Sequence, residues 1–460
     1  MKIVVLGGSP KGDNSVTLQY VAFIRKKFPQ HEFEVFNIAQ RIRQIETNQE
    51  VFDGILTAVK SADAVLWAFP LYVLLVHGNY KRFIELIGER AAEAAFRDKY
   101  TAVLTTSIHF YDHTAHNYLH GICDDLNMKF LGAYSAGMHD LFNEKEQEKW
   151  AQFAKNLFDA IARSAPTHKV FPPLTTQPLE FFPEAVASPI GAERKKVVIV
   201  TDARKQDVNL TRMTERFVAA LDGDAEVFNL HDVDIKGGCL GCIHCGYDND
   251  CIYADKDGFV DFYKAKIKTA DVLVFAGTVQ DRYLSSLWKT YFDRAFFNTH
   301  IPSLSGKQIV WLISGPLAQL PNLQQIFEAY TEFQRANLAG IVTDENPDSS
   351  QINSQIQEAA RQSIDCAKAR YIKPQTFLGV GATKLFRDEI WGPLRFPFVA
   401  DHQYYSENGF YDFPQQDYVS RTQNFMLGLI VKIPAIRQKV YGATMVNSMI
   451  EPYKKLLAKM

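Results

Sequence analysis

No apolar run in this chain of 460 residues reaches the length of a bilayer span. Met1 leads straight into a strand-like run, Lys2-Ile3-Val4-Val5-Leu6, without the longer apolar stretch and small-residue cleavage site of a signal peptide. Both absences point to a cytoplasmic protein with no transmembrane segment. Charge of one sign is also missing, since the net value is −2 with 22% charged residues. A dedicated nucleic-acid binder carries a basic surplus, so that class is excluded. Cysteine is scarce outside one short segment. Cys123 and Cys366 are isolated, while Cys239, Cys242, Cys245 and Cys251 fall within thirteen residues. In a reducing compartment such a cluster argues against a disulfide framework and for metal or redox chemistry. What remains is an ordinary globular composition, 47% hydrophobic, on a chain too long for one core. Two or three domains are expected.

The chain repeats itself. Glu34-Val35-Phe36-Asn37 recurs as Glu226-Val227-Phe228-Asn229, an offset of 192. Ala62-Asp63-Ala64-Val65-Leu66 recurs as Ala270-Asp271-Val272-Leu273-Val274, and Lys81 as Lys289, both at an offset of 208. The offset grows by 16 across an interval that holds all four clustered cysteines. Two copies of one domain, the second with a cysteine-bearing insertion, account for this. Within each copy, short runs rich in Val and Leu without strict alternation read as strands buried on both faces of a parallel sheet. Between the first two such runs, Leu18, Val21 and Ala22 share a helical face. That rhythm predicts a doubly wound α/β sheet in each copy.

The predicted organisation is a first domain over 1–165, a linker over 166–194, a second domain over 195–345 and an extension over 346–460. The linker holds six prolines, Pro166, Pro172, Pro173, Pro178, Pro183 and Pro189, a density that forbids regular structure. The extension is aromatic-rich from Phe386 to Tyr418. From residue 421 onward it reads as helical and basic, with seven Lys or Arg against the single acid Glu451. That tail reads either as a solvated helix face or as a contact with a membrane surface.

The first strand runs into Gly7-Gly8-Ser9-Pro10-Lys11-Gly12-Asp13-Asn14-Ser15-Val16-Thr17 and then a helix. A helix N-terminus offers unpaired N–H groups and a positive dipole end, which suits a phosphate. The loop is neither a P-loop nor a dinucleotide fingerprint. After the third strand come Pro70-Leu71-Tyr72, then Lys81 and Phe83-Ile84-Glu85. These two segments, in order and at this spacing, resemble the NADPH-dependent FMN reductase and iron–sulfur flavoprotein families of the flavodoxin-like superfamily. The resemblance covers about residues 1–140 and, more loosely, 195–345. It implies that Ser9, Lys11, Ser15, Val16 and Thr17 hold an FMN phosphate. It also implies that Pro70, Leu71 and Tyr72 pack along the flavin ring, and that Thr105, Thr106 and Ser107 form a third contact loop. The second copy departs from the pattern: Thr201-Asp202-Ala203-Arg204 stands where the first has Gly8-Ser9-Pro10-Lys11. An acid there repels a phosphate unless paired.

Cysteines in the pattern C-x2-C-x2-C-x5-C can converge on one centre, and four thiolates complete a cubane's ligand set. A thiol or vestigial role and structural zinc are the competing readings. By resemblance to the iron–sulfur flavoproteins, Cys239, Cys242, Cys245 and Cys251 are ligands of a [4Fe–4S] cluster. Just past Ser107, a histidine-rich segment offers His109, His113 and His116 as proton donors; a solvated helix face is the alternative. The expectation is an FMN-dependent iron–sulfur oxidoreductase. It would take electrons from NAD(P)H or ferredoxin and pass them to a small-molecule or protein redox partner, with assembly as a homo-oligomer left open. A pure electron carrier and a cluster-free FMN or quinone reductase are the rivals.

Overall fold

The computed structural model describes residues 1–460 apart from 176–178, 193, 223–224, 414–416 and 442–444. Pro178, one of the six linker prolines, therefore lies outside the described residues. The chain divides into two compact units, Met1–Tyr404 and Tyr405–Met460.

The larger unit holds two parallel five-stranded sheets. The first comprises β1 (Lys2–Gly7), β2 (Glu32–Asn37), β3 (Ala64–Pro70), β4 (Tyr100–Ser107) and β5 (Lys129–Gly137), in the order β2-β1-β3-β4-β5. The second comprises β6 (Val197–Thr201), β7 (Ala225–Asn229), β8 (Val272–Thr278), β9 (Gln308–Ser314) and β10 (Asn337–Thr343). Its order, β7-β6-β8-β9-β10, is the same topology. Both sheets are doubly wound, as the alternation of apolar runs and amphipathic segments predicted. Ile3, Val4, Val5 and Leu6 of β1 are buried, because a central parallel strand is covered by helices on both faces. Helix Val16–Lys27 turns Leu18, Val21 and Ile24 into that core.

Among the described residues, the proline-rich segment carries no helix or strand before β6. It is nevertheless packed: Phe181 and Ala192 are buried in the core of the second sheet. Helix Ser349–Ala369 contributes Ile352, Ile356 and Ile364 to that same core. Helix Phe377–Trp391 follows, its first turn capped by the Glu332 carboxylate through the N–H groups of Thr376 and Gly379, both at 2.8 Å.

The two sheets meet through helices Gly78–Glu89 and Ser286–Ala295. Their ends cap each other. Asp293 accepts from the Gly78 N–H at 2.7 Å. Glu85, the residue at the equivalent position, accepts from the Ser286 N–H at 2.5 Å and its hydroxyl at 2.6 Å. Each carboxylate also pairs with a lysine of its own helix, Lys81 with Glu85 and Lys289 with Asp293. All four side chains are buried. Burial raises the Glu85 carboxyl, but Lys81, Ser286 and Arg82 together hold it below its ordinary value. The pseudo-two-fold arrangement is that of an isologous dimer interface built from one chain.

Removing one member of a buried ion pair strands the other charge. Asp293→Asn is therefore expected to lower the unfolding free energy by about 3–5 kcal/mol in urea denaturation. Lys155→Ala, which breaks the exposed pair with Asp159, is expected to change it by less than about 1 kcal/mol.

Candidate functional site

The loop after β1 is shaped by close contacts. A Cβ on Gly8 would lie 2.6 Å from Phe69 Cβ and 2.9 Å from the Tyr80 ring, so only glycine fits there. Gly12 takes φ +55°, a left-handed conformation. Ser15 caps helix Val16–Lys27 by accepting from the Leu18 N–H at 3.2 Å, and the Ser9 hydroxyl accepts from the Lys11 N–H at 3.2 Å. Ser9, Lys11, Ser15 and Val16 all line one cavity of about 370 Å³.

Pro70, Leu71, Tyr72, Thr106 and Ser107 line that same cavity. Strands β3 and β4 are neighbours with Pro70 opposite Thr106, so their carboxyl ends open at one place. Tyr72 and Leu75 exchange two backbone hydrogen bonds of 2.9 Å across a tight turn. The central residues Val73 and Leu74 have φ of 28° and 61°. Positive φ on two bulky residues, one β-branched, is strained backbone. The second domain repeats the turn at Asp281 and Arg282, with φ of 46° and 63°. Thr17 and Thr105 stand just behind the lining. Thr17 bonds Thr106 at 2.6 Å, and Thr105 bonds His116 Nε2 at 2.7 Å.

The opposite wall comes from the second domain's insertion. Cys239, Cys242, Cys245 and Cys251 all line the cavity. Gly241, at φ +62°, sits against Lys11 and the Tyr72 hydroxyl of the first domain. His77 anchors the loop through a 2.8 Å contact from Nε2 to the Cys239 carbonyl. Burial lowers the His77 pKa. The buried Arg294–Asp257 pair, at 2.7 and 2.9 Å, ties down the insertion, with Arg294 also donating to the Gly237 carbonyl at 2.9 Å. Burial pushes the Cys239 thiol up to about 12, opposed by the Gly241 N–H and reinforced by Asp293, Cys242 and Cys251. Cys245 is likewise pushed up to about 12, by burial and then by Cys239, Cys251 and Cys242. Among the described residues, no group of three or more His, Cys, Asp or Glu side chains is placed to hold a metal ion.

A third wall is aromatic. Phe110, Phe296, Phe333, Phe386 and Phe398 line it, the last two from beyond β10. Among them lies His300, whose Nδ1 is 2.6 Å from Asp401 Oδ2. The His300 ring lies tilted against Phe386, with centroids 4.1 Å apart, and meets Phe398 edge-on at 4.6 Å. Asp401 is fully buried and also accepts from Thr299. Sequence reasoning missed this pair. The two residues are 101 positions apart, and neither stands in a motif.

The histidine-rich segment takes a different place. His109 is exposed, bonded through Nδ1 to Ser135 at 2.9 Å and Asp112 at 3.1 Å. His113 bonds Gln325 at 3.1 Å. None of His109, His113 and His116 is among the cavity's lining residues.

The corresponding loop of the second domain is occupied by acids. Asp202 is buried, bonded to the Ser285 hydroxyl, and burial raises its pKa to about 6. Asp207 accepts from the Arg204 N–H at 2.8 Å. Two carboxylates at this loop disfavour a phosphate there.

Residues 1–140 match the family described as NADPH-dependent FMN reductase. Solved structures similar to the chain include an NADH:FMN oxidoreductase in its apo form, at 16% identity and a TM-score of 0.29, covering 36% of this chain and 91% of that one. Another is FerB, a flavoenzyme NAD(P)H:(acceptor) oxidoreductase from Paracoccus denitrificans, at 17% identity and a TM-score of 0.29, covering 35% and 97%. A third is an FMN-dependent NADH-azoreductase from Bacillus anthracis in complex with FMN, at 15% identity and a TM-score of 0.26, covering 36% and 99%. No curated protein matches the chain. Residues 1–140, whose loops open onto the cavity, are thus similar to the NADPH-dependent FMN reductase family.

Proposed function

We propose that the chain is an FMN-dependent NAD(P)H oxidoreductase that reduces an apolar, aromatic acceptor inside the cavity. One observation carries this reading. The phosphate-type loop, the Pro70–Tyr72 loop and an aromatic chamber share one cavity, and Phe386, Leu394, Pro397 and Phe398 close part of it. An electron carrier needs an open flavin edge; residues contributed from beyond β10 favour an enclosed reaction instead.

FMN fits the donor set of the first domain. Ser9, Lys11 and Ser15 offer two hydroxyls and a cation beside a helix N-terminus. Val16 and Thr17 complete that first turn. Pro70, Leu71 and Tyr72 offer a flat apolar edge, and Thr106 and Ser107 offer hydroxyls at the end of the neighbouring strand. When bound, FMN supplies hydride chemistry between a nicotinamide and the acceptor. The protein's own part is to orient the two substrates against the ring, exclude water and deliver a proton. His300, held by Asp401, is placed to deliver that proton. It lines the chamber, and the carboxylate fixes its ring.

The cysteine loop supports a second element of the same reading. Four thiols line the wall facing Tyr72 and Lys11. A cubane spreads its thiolates around a cluster, unlike a single ion, so a [4Fe–4S] centre is the metal group their spacing suits. A cluster-free reductase accounts equally for the family match.

Three measurements test these readings. Ser15→Asp places a carboxylate at the phosphate loop and is expected to weaken FMN binding at least about tenfold by flavin fluorescence titration; unchanged affinity would remove FMN from this loop. His300→Asn is expected to lower kcat about a hundredfold while flavin reduction by NAD(P)H stays intact; an unchanged kcat would assign the proton to another group. Iron and sulfide are to be quantified on anaerobically purified wild type and Cys242→Ser. A cluster predicts about four of each per wild-type chain and their loss in the variant. Iron-free wild type and a fully active variant would establish the cluster-free enzyme.

A further inference from the structure

We propose that the terminal unit, Tyr405–Met460, docks in the plane of an anionic lipid bilayer. This inference is independent of the oxidoreductase reading. The unit contains helices Tyr418–Ile430, Pro434–Lys439 and Met445–Leu457. In the last of these, Met449, Ile450, Tyr453, Leu456 and Leu457 recur at helical spacing on one face, with Lys454 at its edge and Lys455 on the opposite side. All five apolar side chains are exposed, Leu457 to 67%. Helix Tyr418–Ile430 presents a second such face through Tyr418, Phe425, Met426, Leu429 and Ile430, with Phe425 66% exposed. A helix that only needs solvation does not spend its large apolar residues this way. Exposed apolar faces of this kind mark an interaction surface.

Charge selects the partner. From Arg421 onward, seven basic residues and one acid give the tail a net +6, and Glu407, Asp412 and Asp417 bring the whole unit Tyr405–Met460 to +3. The whole chain carries −2, so the residues before Arg421 carry −8. A strongly basic amphipathic tail on an acidic protein is the pattern of an interfacial helix drawn to anionic headgroups, its apolar side in the acyl boundary. No helix among the described residues is long and apolar enough to cross a membrane. The tail therefore lies along the bilayer surface.

The test is co-sedimentation of the full chain with vesicles of phosphatidylglycerol and phosphatidylcholine in equal parts, against vesicles of phosphatidylcholine alone. Binding to the anionic vesicles is expected, at least about tenfold weaker on the neutral ones and falling as salt rises. Lys454→Glu with Lys455→Glu should weaken it roughly thirtyfold. Met449→Ser with Leu456→Ser should abolish it while circular dichroism stays unchanged. Should these variants misfold, the lipid and salt dependence of the wild type still decides. Equal sedimentation with both vesicles, or none with either, overturns the proposal. So does a wild type that is dimeric by light scattering, ignores vesicles and becomes monomeric with Leu456→Ser; the face would then cover a second copy of the chain.

Discussion

The reciprocal capping of helices Gly78–Glu89 and Ser286–Ala295 is the constraint on which the site depends. Each helix N-terminus exposes backbone N–H groups that must find partners once buried. Here each finds a carboxylate from the other domain, Asp293 or Glu85, itself neutralised by a lysine one turn away. Four buried charges cancel in one place, and no member can be lost without stranding another. The capping also sets where the loops beside it go. The Tyr72–Leu75 turn leads directly into one capped helix and the Gln280–Tyr283 turn into the other. His77, the N-cap of the first helix, holds the cysteine loop of the second domain. The Pro70–Tyr72 loop and the cysteine loop thus face each other because the helices behind them are locked.

Duplication allowed the two copies to diverge within this frame. The shared parts are mechanical: strand order, strained turn, lysine and carboxylate on the interface helix. The differing parts are chemical. The first copy keeps hydroxyls and a lysine around its loop after β1, while the second carries Asp202 and Asp207 there. The second copy adds the cysteine insertion, which is anchored in its own domain and also reaches across to the first copy's loops. A single chain can assign such different roles to its halves, whereas a symmetric homodimer must build both sites alike.

The aromatic chamber is the third contribution. Phe386 and Phe398 come from the segment after the second sheet and enclose His300 with Asp401. This pairing, rather than the histidine-rich segment near Ser107, brings a titratable group to the cavity wall.

Much of the fold was determined by local sequence. Runs such as Ile3–Leu6 and Val197–Val200 have no polar face, so they can only be central parallel strands, and the repeated offsets required two of the same sheet. The loop Gly8–Thr17 and the segment Pro70–Tyr72 were legible because the ligand loops of a doubly wound sheet lie at strand ends, close in sequence to their motifs. The four cysteines were legible as a group for the same reason. What the sequence could not decide was which surfaces meet. That Cys239 faces Tyr72, that Glu85 caps Ser286, and that His300 finds Asp401 depends on side chains about a hundred to two hundred residues apart. Such pairings leave no periodicity or spacing in the chain, because they arise only when the two layers are pressed together and each buried polar group must find a partner.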